Sequence, residues 1–178
     1  MASLRIRLFI AAMAVLTALL SGARPAAAQY SEFAPAGEGF SVQFPPNPTF
    51  RPDQPSGDVI AHNWHVSTGG YFFYVGRGTP KNRDLIIDAD ATLKGDQHDV
   101  ITGLKANLLR SDRITWPGPE GPLPALLFTM GFDDKRYGEY LETIHGNLIY
   151  GVMVIAQTDS PAIRDEVDRV VRSLRITK

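Results

Sequence analysis

The chain has 178 residues, no cysteine and a formal net charge of −1. The lack of cysteine excludes disulfide bonds and thiolate metal ligands, so a stable fold must rest on packing alone. The 18 basic and 19 acidic residues include no basic cluster, which argues against nucleic acid and anionic membranes as partners.

The first 28 residues have the pattern of a secretory signal peptide. Arg5 and Arg7 precede an apolar run over residues 8–20, and Ala26-x-Ala28 forms a small-residue cleavage site. A membrane-spanning helix needs about 20 apolar residues, so this run is too short for a permanent anchor. We therefore expect cleavage after Ala28 and a periplasmic or secreted protein.

Cleavage would change the size and charge of the chain. Residues 1–28 hold three arginines and no acid, so 15 basic and 19 acidic residues remain, a net charge of −4 over 150 residues. A chain of this size forms one domain with a sizeable core. We predict a loosely ordered lead over residues 29–39 and a single domain over residues 40–178, most simply a monomer.

The first half of the domain shows strand patterns. Residues 40–44 alternate apolar and polar side chains before a run of prolines, and residues 51–58 read as a surface turn. Residues 59–67 and 71–75 then predict a hairpin. His62 and His65 should point to opposite faces of the first hairpin strand, so they are not expected to bind one metal ion.

Residues 84–109 change to helical periodicity. Leu93, Val100 and Leu104 repeat at helical spacing, so we predict one long helix, with Gly95 as a point where it could kink. Residues 109–115 predict a strand. The four prolines of the segment 116–124 predict a stiff, irregular loop, and residues 123–132 predict a buried strand.

Residues 137–157 predict a long hairpin at the centre of the sheet. Gly146 and Asn147 suit a two-residue type II′ turn, which sets Leu141 opposite Val152. After it, Ser160 can cap a helix that buries an apolar stripe. The fold predicted is therefore α+β, a central, mostly antiparallel sheet covered by helices on both faces.

Three short segments resemble the PsbP/Mog-type α/β fold family. They are the run 39–45 followed by Pro48, the hairpin segment 146–150, and the closing segment 170–176. The resemblance implies the same α/β/α sandwich. Members of the family include extrinsic subunits of photosystem II, a nuclear GTPase-binding protein and many exported bacterial proteins of no known activity, so it implies no particular function.

The sequence contains no G-x-S-x-G, H-E-x-x-H, Walker or dinucleotide-binding motif. Three hypotheses remain. The first is a non-catalytic periplasmic binding or assembly factor, which the missing motifs favour. The second is an enzyme using His62, His65 or His145 with acids in a cleft, and the third is a carrier of a small apolar ligand in a pocket beneath Trp64 and residues 71–74. No cofactor or metal is expected. For contact with an unknown protein partner or small ligand, the candidate residues are Trp116, Glu120, His145 and Asn147. For Trp116 the favoured alternative is that its indole folds back and plugs the end of the sheet.

Overall fold

The computed structural model describes residues 30–51, 59–82, 84 and 86–177. The expected signal peptide, its cleavage site at Ala28 and most of the expected turn 51–58 lie outside these residues. Strands account for 53% of the described residues and helices for 19%, so the fold is dominated by antiparallel pairing.

Ten strands and two helices make up the described part of the chain. In chain order they are β1 (Ser31–Phe33), β2 (Phe40–Phe44), β3 (Thr49–Arg51), β4 (Val59–Thr68), β5 (Tyr71–Pro80), α1 (Ala89–Leu104), β6 (Asn107–Gly118), β7 (Gly121–Gly131), β8 (Tyr137–His145), β9 (Leu148–Ala156), α2 (Pro161–Val171) and β10 (Arg175–Ile176). Seven of the strands form one sheet in the order β3-β4-β5-β9-β8-β7-β6, and the other three form a small sheet in the order β1-β2-β10.

The β8–β9 hairpin lies at the centre of the main sheet, as predicted. Leu141 pairs with Val152 and His145 with Leu148, which leaves Gly146 and Asn147 as the turn. Gly146 supplies the positive φ, 58°, that a type II′ turn requires at this position. Both strands are buried along almost their whole length, because layers pack on both of their faces.

One face of the main sheet is covered by α2 together with the small sheet. Ser160 accepts a hydrogen bond from the Ile163 backbone N–H and Pro161 opens the helix, so the predicted cap is confirmed. The apolar side of α2 then packs into the same core as the inward residues of β2, namely Phe40, Val42 and Phe44 with Val167, Val170, Val171 and Leu174.

The opposite face is contacted by α1, which is shorter than the predicted helix 84–109. Asp88 caps its first turn, and Lys105 ends it in the left-handed conformation, with φ 51°. The helix continues through Gly95, and Leu108 belongs to β6 instead. Leu93, Val100 and Leu104 are its main core contacts.

The prediction of a sheet covered by helices on both faces is wrong. The structure is a β-rich fold in which a seven-stranded sheet predominates, and its described residues contain two helices only. One of them, α1, reaches β7 and β8, while much of the layer on the other side is the small sheet. A single helix is too narrow to cover a sheet of this width.

The segment 116–124 is a regular hairpin and not the irregular loop that its prolines predicted. Trp116 pairs with Leu123, Pro117 with Pro122 and Gly118 with Gly121. In a two-residue hairpin the closing pair is hydrogen-bonded and the pairs then alternate. The Pro117–Pro122 pair therefore falls at a non-hydrogen-bonded position. No hydrogen bond between β6 and β7 is lost through the missing N–H groups of the two prolines.

The segment predicted as a loosely ordered lead contains β1, which pairs with β2. The Tyr30 hydroxyl donates to Glu166 Oε1 at 2.6 Å, which ties the start of this segment to α2. Further along, Glu38 Oε2 lies 3.1 Å from Arg77 Nε, and the Arg77 guanidinium also donates to the Gly37 carbonyl. These contacts hold the segment against α2 at its start and against β5 of the main sheet at its end.

Candidate functional site

The four predicted contact residues lie near one end of the main sheet, where the β6–β7 and β8–β9 turns are found. Trp116 is 6% exposed and belongs to the core, so its indole fills the interior beside Leu123. Glu120 is exposed in the β6–β7 turn, and His145 and Asn147 are partly buried at the β8–β9 turn. The structure therefore separates Trp116 from the three polar side chains.

Two of the histidines that could serve an enzyme, His62 and His65, do not converge. His62 Nδ1 lies 2.8 Å from Glu38 Oε1, on the face that α2 covers. His65 lies on the other face beside Phe72, and burial together with the positive charge of Arg51 lowers its pKa. The opposite orientation predicted from the strand period is confirmed. Among the described residues, no group of three or more His, Asp or Glu is placed to hold a metal ion.

Aromatic side chains fill the space in which the carrier hypothesis places an apolar ligand. The Trp64 ring has Phe33, Phe40 and Phe50 as neighbours, with ring centroids 5.0 to 5.9 Å away. Phe73, on the adjacent strand, packs in the same way against Tyr30. This region is a packed core, so the structure gives the carrier hypothesis no support there.

A charged cleft lies beside α2, where that helix leaves part of the sheet uncovered. Its floor is formed by β7 and β8, one wall by α2 and the other by the edge strand β6, and it encloses about 210 Å³. Leu127, Phe128, Thr129, Tyr137 and Glu139 lie at the floor, and Arg110, Asp112, Arg164, Asp165, Asp168 and Arg172 form the walls.

Glu139 is the central group of this cleft. Its side chain is 3% exposed, and Oε1 is buried without a hydrogen-bond partner, while Oε2 accepts a hydrogen bond from the Tyr137 hydroxyl at 3.3 Å. Burial raises the pKa of Glu139 to about 7, and the negative charge of the neighbouring Asp168 carboxyl adds to this shift. Near neutral pH, Glu139 is therefore divided between its acid and carboxylate forms.

The arginines of the cleft are already paired with aspartates. Arg172 Nε lies 2.6 Å from Asp168 Oδ1, and Arg110 Nε lies 2.6 Å from Asp112 Oδ2. Arg164 forms a two-point contact with Asp159, with both distances 2.6 Å. Because each arginine is held by an aspartate, acidic charge is in excess around the cleft once Glu139 is ionised.

A second acid pair is buried on the opposite face, beneath α1. Asp96 of α1 contacts Glu142 of β8, and they are 2% and 0% exposed. Burial raises the pKa of Asp96 to about 7 and that of Glu142 well above its usual range, with Asp96 adding its negative charge to the second shift. The Tyr140 hydroxyl donates to Glu142 Oε1 at 3.1 Å, so this pair is enclosed by the core.

A glycine makes room for that enclosed network. A side chain at Gly151 would collide with the Tyr140 hydroxyl, because a Cβ built there overlaps it. The absence of a side chain on β9 therefore lets the Tyr140 hydroxyl lie over the neighbouring strand. The network holds α1 against the sheet, whereas the Glu139 cleft faces outward and is the better candidate for binding.

Sequence reasoning did not identify Glu139, although β8 carries a detectable signal. Glu139 and Glu142 are the only acids in a strand that is otherwise suited to burial, and acids in buried strands are rare unless they are paired. Their partners Asp168 and Asp96 come from α2 and α1, which are distant in sequence, so the pairing could be seen only in the structure.

The layers and the strand order define a β-rich protein with a PsbP-like fold. The solution structure of cyanobacterial PsbP (CyanoP) from Synechocystis sp. PCC 6803 is similar to this chain, with a TM-score of 0.54 and 12% sequence identity. The match covers 89% of this chain and 98% of that one. At this identity the similarity shows the fold alone.

Searches by sequence add no relative. No protein-family model matches the chain, and no curated protein matches it either. None of the helices in the described residues is long and apolar enough to span a bilayer.

Proposed function

We propose that this chain is an exported, non-catalytic accessory protein that binds a partner through the cleft between α2 and β6. The observation that carries the proposal is Glu139, a nearly buried carboxyl that lines the charged cleft and whose buried Oε1 has no hydrogen-bond partner. An unpartnered buried carboxyl costs stability, and groups of this kind concentrate where a protein meets a ligand.

Two further observations agree with an accessory role. The signal-peptide pattern of residues 1–28 supports export with cleavage after Ala28, and the mature chain would then be one domain over residues 40–178 with an N-terminal segment packed on it. The PsbP-like fold supports a role in binding or assembly by analogy, because the resembling family includes extrinsic subunits of larger complexes.

An enzyme is the second candidate, and the pKa of Glu139 favours it. A carboxyl with a pKa of about 7 is well suited to donate and accept protons near neutral pH. Catalysis would also require a second group acting on the same substrate in this cleft. If Glu139→Gln abolished a measurable turnover while leaving the fold intact, the enzyme candidate would replace the binding one.

Site-specific photo-crosslinking in cells tests the proposed binding surface. A photoreactive residue at Thr129, on the floor of the cleft, should give a discrete adduct with a protein that mass spectrometry can identify. The matched control places the same residue at Lys94, an exposed position on α1. Equal adducts from both positions, or none from Thr129, would contradict the proposal.

Export is tested separately by the intact mass of the protein recovered from the periplasm or medium. We expect a chain that begins at Gln29. Recovery of the uncleaved chain from the cytoplasm as its stable form would contradict export without bearing on the cleft.

A further inference from the structure

We propose that the cleft between α2 and β6 binds the cationic head of a lysine or arginine side chain from a partner protein, held between Glu139 and Asp168. This inference rests on the proposed binding function and names the chemistry of the partner. Three observations lead to it: the unpartnered oxygen of Glu139, the charge around it, and the size of the cleft.

The free oxygen of Glu139 needs a hydrogen-bond donor. Oε2 is held by Tyr137, and Oε1 is buried with no N–H or hydroxyl donor beside it. The Asp168 carboxyl hydrogen-bonds to Glu139, which requires that one of the two acids keeps a proton. Once both are ionised, neither carboxylate can donate to the other. A donor placed between the two acids would satisfy Oε1 and relieve the repulsion.

The charge of the cleft selects a cationic donor. The ionisable and charged groups that face Glu139 come from three elements. The wall from α2 contributes Arg164, Asp165, Asp168 and Arg172, the wall from β6 contributes Arg110 and Asp112, and β8 contributes Tyr137. The cleft is lined by three arginines and four acids, so one negative charge is in excess once Glu139 is ionised. A cation restores the balance, and an anion would not.

The size of the cleft favours a side chain over a larger molecule. A volume of about 210 Å³ lies below the range of roughly 300–1,000 Å³ that drug-sized ligands occupy. The cation of a lysine or arginine can reach Glu139 on a long apolar stem. Leu127 on the floor offers that stem an apolar surface.

Binding of the cation should release a proton. When Glu139 is in its acid form, its proton occupies the position that the cation would take. The incoming ammonium or guanidinium therefore replaces that proton, which passes to solvent, and no covalent bond is formed. Binding should accordingly strengthen as the pH rises through the range in which free Glu139 ionises.

Carbon-13 NMR of the purified protein tests the inference with a defined probe, N-acetylargininamide, which carries one guanidinium and no other charge. The measurement follows the side-chain carboxyl carbons of Glu139 and Asp168 below the Glu139 pKa of about 7. We expect the Glu139 signal to move towards its carboxylate position as the probe is added. The neutral analogue N-acetylcitrullinamide should leave the signal in place.

Matched variants identify the groups responsible. Glu139→Gln keeps the shape of the side chain but cannot carry the charge, so it should weaken binding at least about tenfold. Glu32→Gln removes an exposed acid from β1, away from the cleft, and should leave binding unchanged. Thermal unfolding of both variants shows whether the fold is retained, and Asp168→Asn gives a second test if Glu139→Gln does not fold.

Each alternative result has a definite meaning. No movement of the Glu139 signal, or equal movement with the citrulline analogue, would overturn the inference. The free diamine putrescine serves as a competing probe. If it binds about tenfold more tightly than N-acetylargininamide, the ligand is a free amine, and the inference of a side chain from a partner protein is wrong. Crosslinking at Thr129 is compared between wild type and Glu139→Gln. Equal capture of a partner in both would support the proposed binding function but contradict recognition of a basic side chain by Glu139.

Discussion

Replacing Glu142 by glutamine is expected to change how the free energy of unfolding depends on pH. Glu142 and Asp96 are in contact in the core, and both have raised pKa values. In the unfolded chain such carboxyls lose their protons near pH 4. The folded state therefore binds more protons than the unfolded state from about pH 4 upward, and stability falls as the pH rises towards 7.

The structure sets the size of this effect. Each raised carboxyl contributes a fall of about 1.4 kcal/mol per pH unit between its unfolded and its folded pKa. The glutamine of the Glu142→Gln variant would not titrate, yet its amide could donate to Asp96 while its oxygen accepts from Tyr140, as Glu142 Oε1 now does. Between the unfolded and the folded pKa of Glu142, the slope of the variant should therefore be shallower by at least about 1.4 kcal/mol per pH unit, and the variant should be more stable than the wild type near pH 7.

Urea unfolding measured by tryptophan fluorescence at a series of pH values provides the test. Glu139 is unchanged in the variant, so its own contribution to the slope cancels in the comparison. Glu120→Gln, which removes an exposed acid, is the matched control and should keep the wild-type slope. An unchanged slope in Glu142→Gln, or lower stability of that variant near pH 7, would refute the idea of a buried pair that holds its protons.

Three further substitutions test the packing. Trp116→Ala should lower the free energy of unfolding by about 3–5 kcal/mol. Subtracting the fluorescence of Trp116→Phe from that of the wild type gives the emission of Trp116 alone, which should be blue-shifted. Quenching of this emission by acrylamide would contradict the core position of the indole. Ser160→Ala should cost about 1 kcal/mol through loss of the α2 cap, measured by chemical denaturation, and no loss would show that the cap is not needed. Gly151→Ala should lower the free energy of unfolding by about 1–3 kcal/mol, because the added methyl group meets the Tyr140 hydroxyl. In the Tyr140→Phe background, which lacks that hydroxyl, the same substitution should cost less. Equal costs in the two backgrounds would contradict the clash.

The central hairpin and α2 could be predicted from the sequence because their signals are local. A glycine at the turn set the register of β8 and β9, and Ser160 with Pro161 set the start of α2. Signals of this kind depend only on residues a few positions apart in the sequence. The structure therefore contains the turn and the helix start where the sequence predicts them.

The errors arose where distant parts of the chain decide the outcome. Leu108 continues the helical spacing of α1, yet it lies in the edge strand β6, where pairing with β7 determines the conformation. From the sequence alone, the prolines at positions 117, 122 and 124 indicate an irregular loop. The pairing of β6 with β7 places them where the ladder requires no backbone N–H. The layers were also predicted wrongly, because local periodicity does not show that the small sheet covers part of one face.

The candidate site was missed for the same reason. Glu139 could have been noticed as an acid in a buried strand, but its environment is created by α2 and β6. The arginine partners of the neighbouring aspartates likewise come together only in the folded chain. The predicted contact residues instead came from the turns at one end of the sheet, where Trp116 proved to be buried.

The small sheet also imposes an order of events during synthesis of the protein. Its middle strand, β2, is made early, but Phe40 pairs with Ile176, so nearly the whole domain must be translated before β10 can join it. The hairpins of the main sheet pair neighbouring segments and can form as they emerge. Until the last strand arrives, β2 lacks its β10 partner and the small sheet is incomplete.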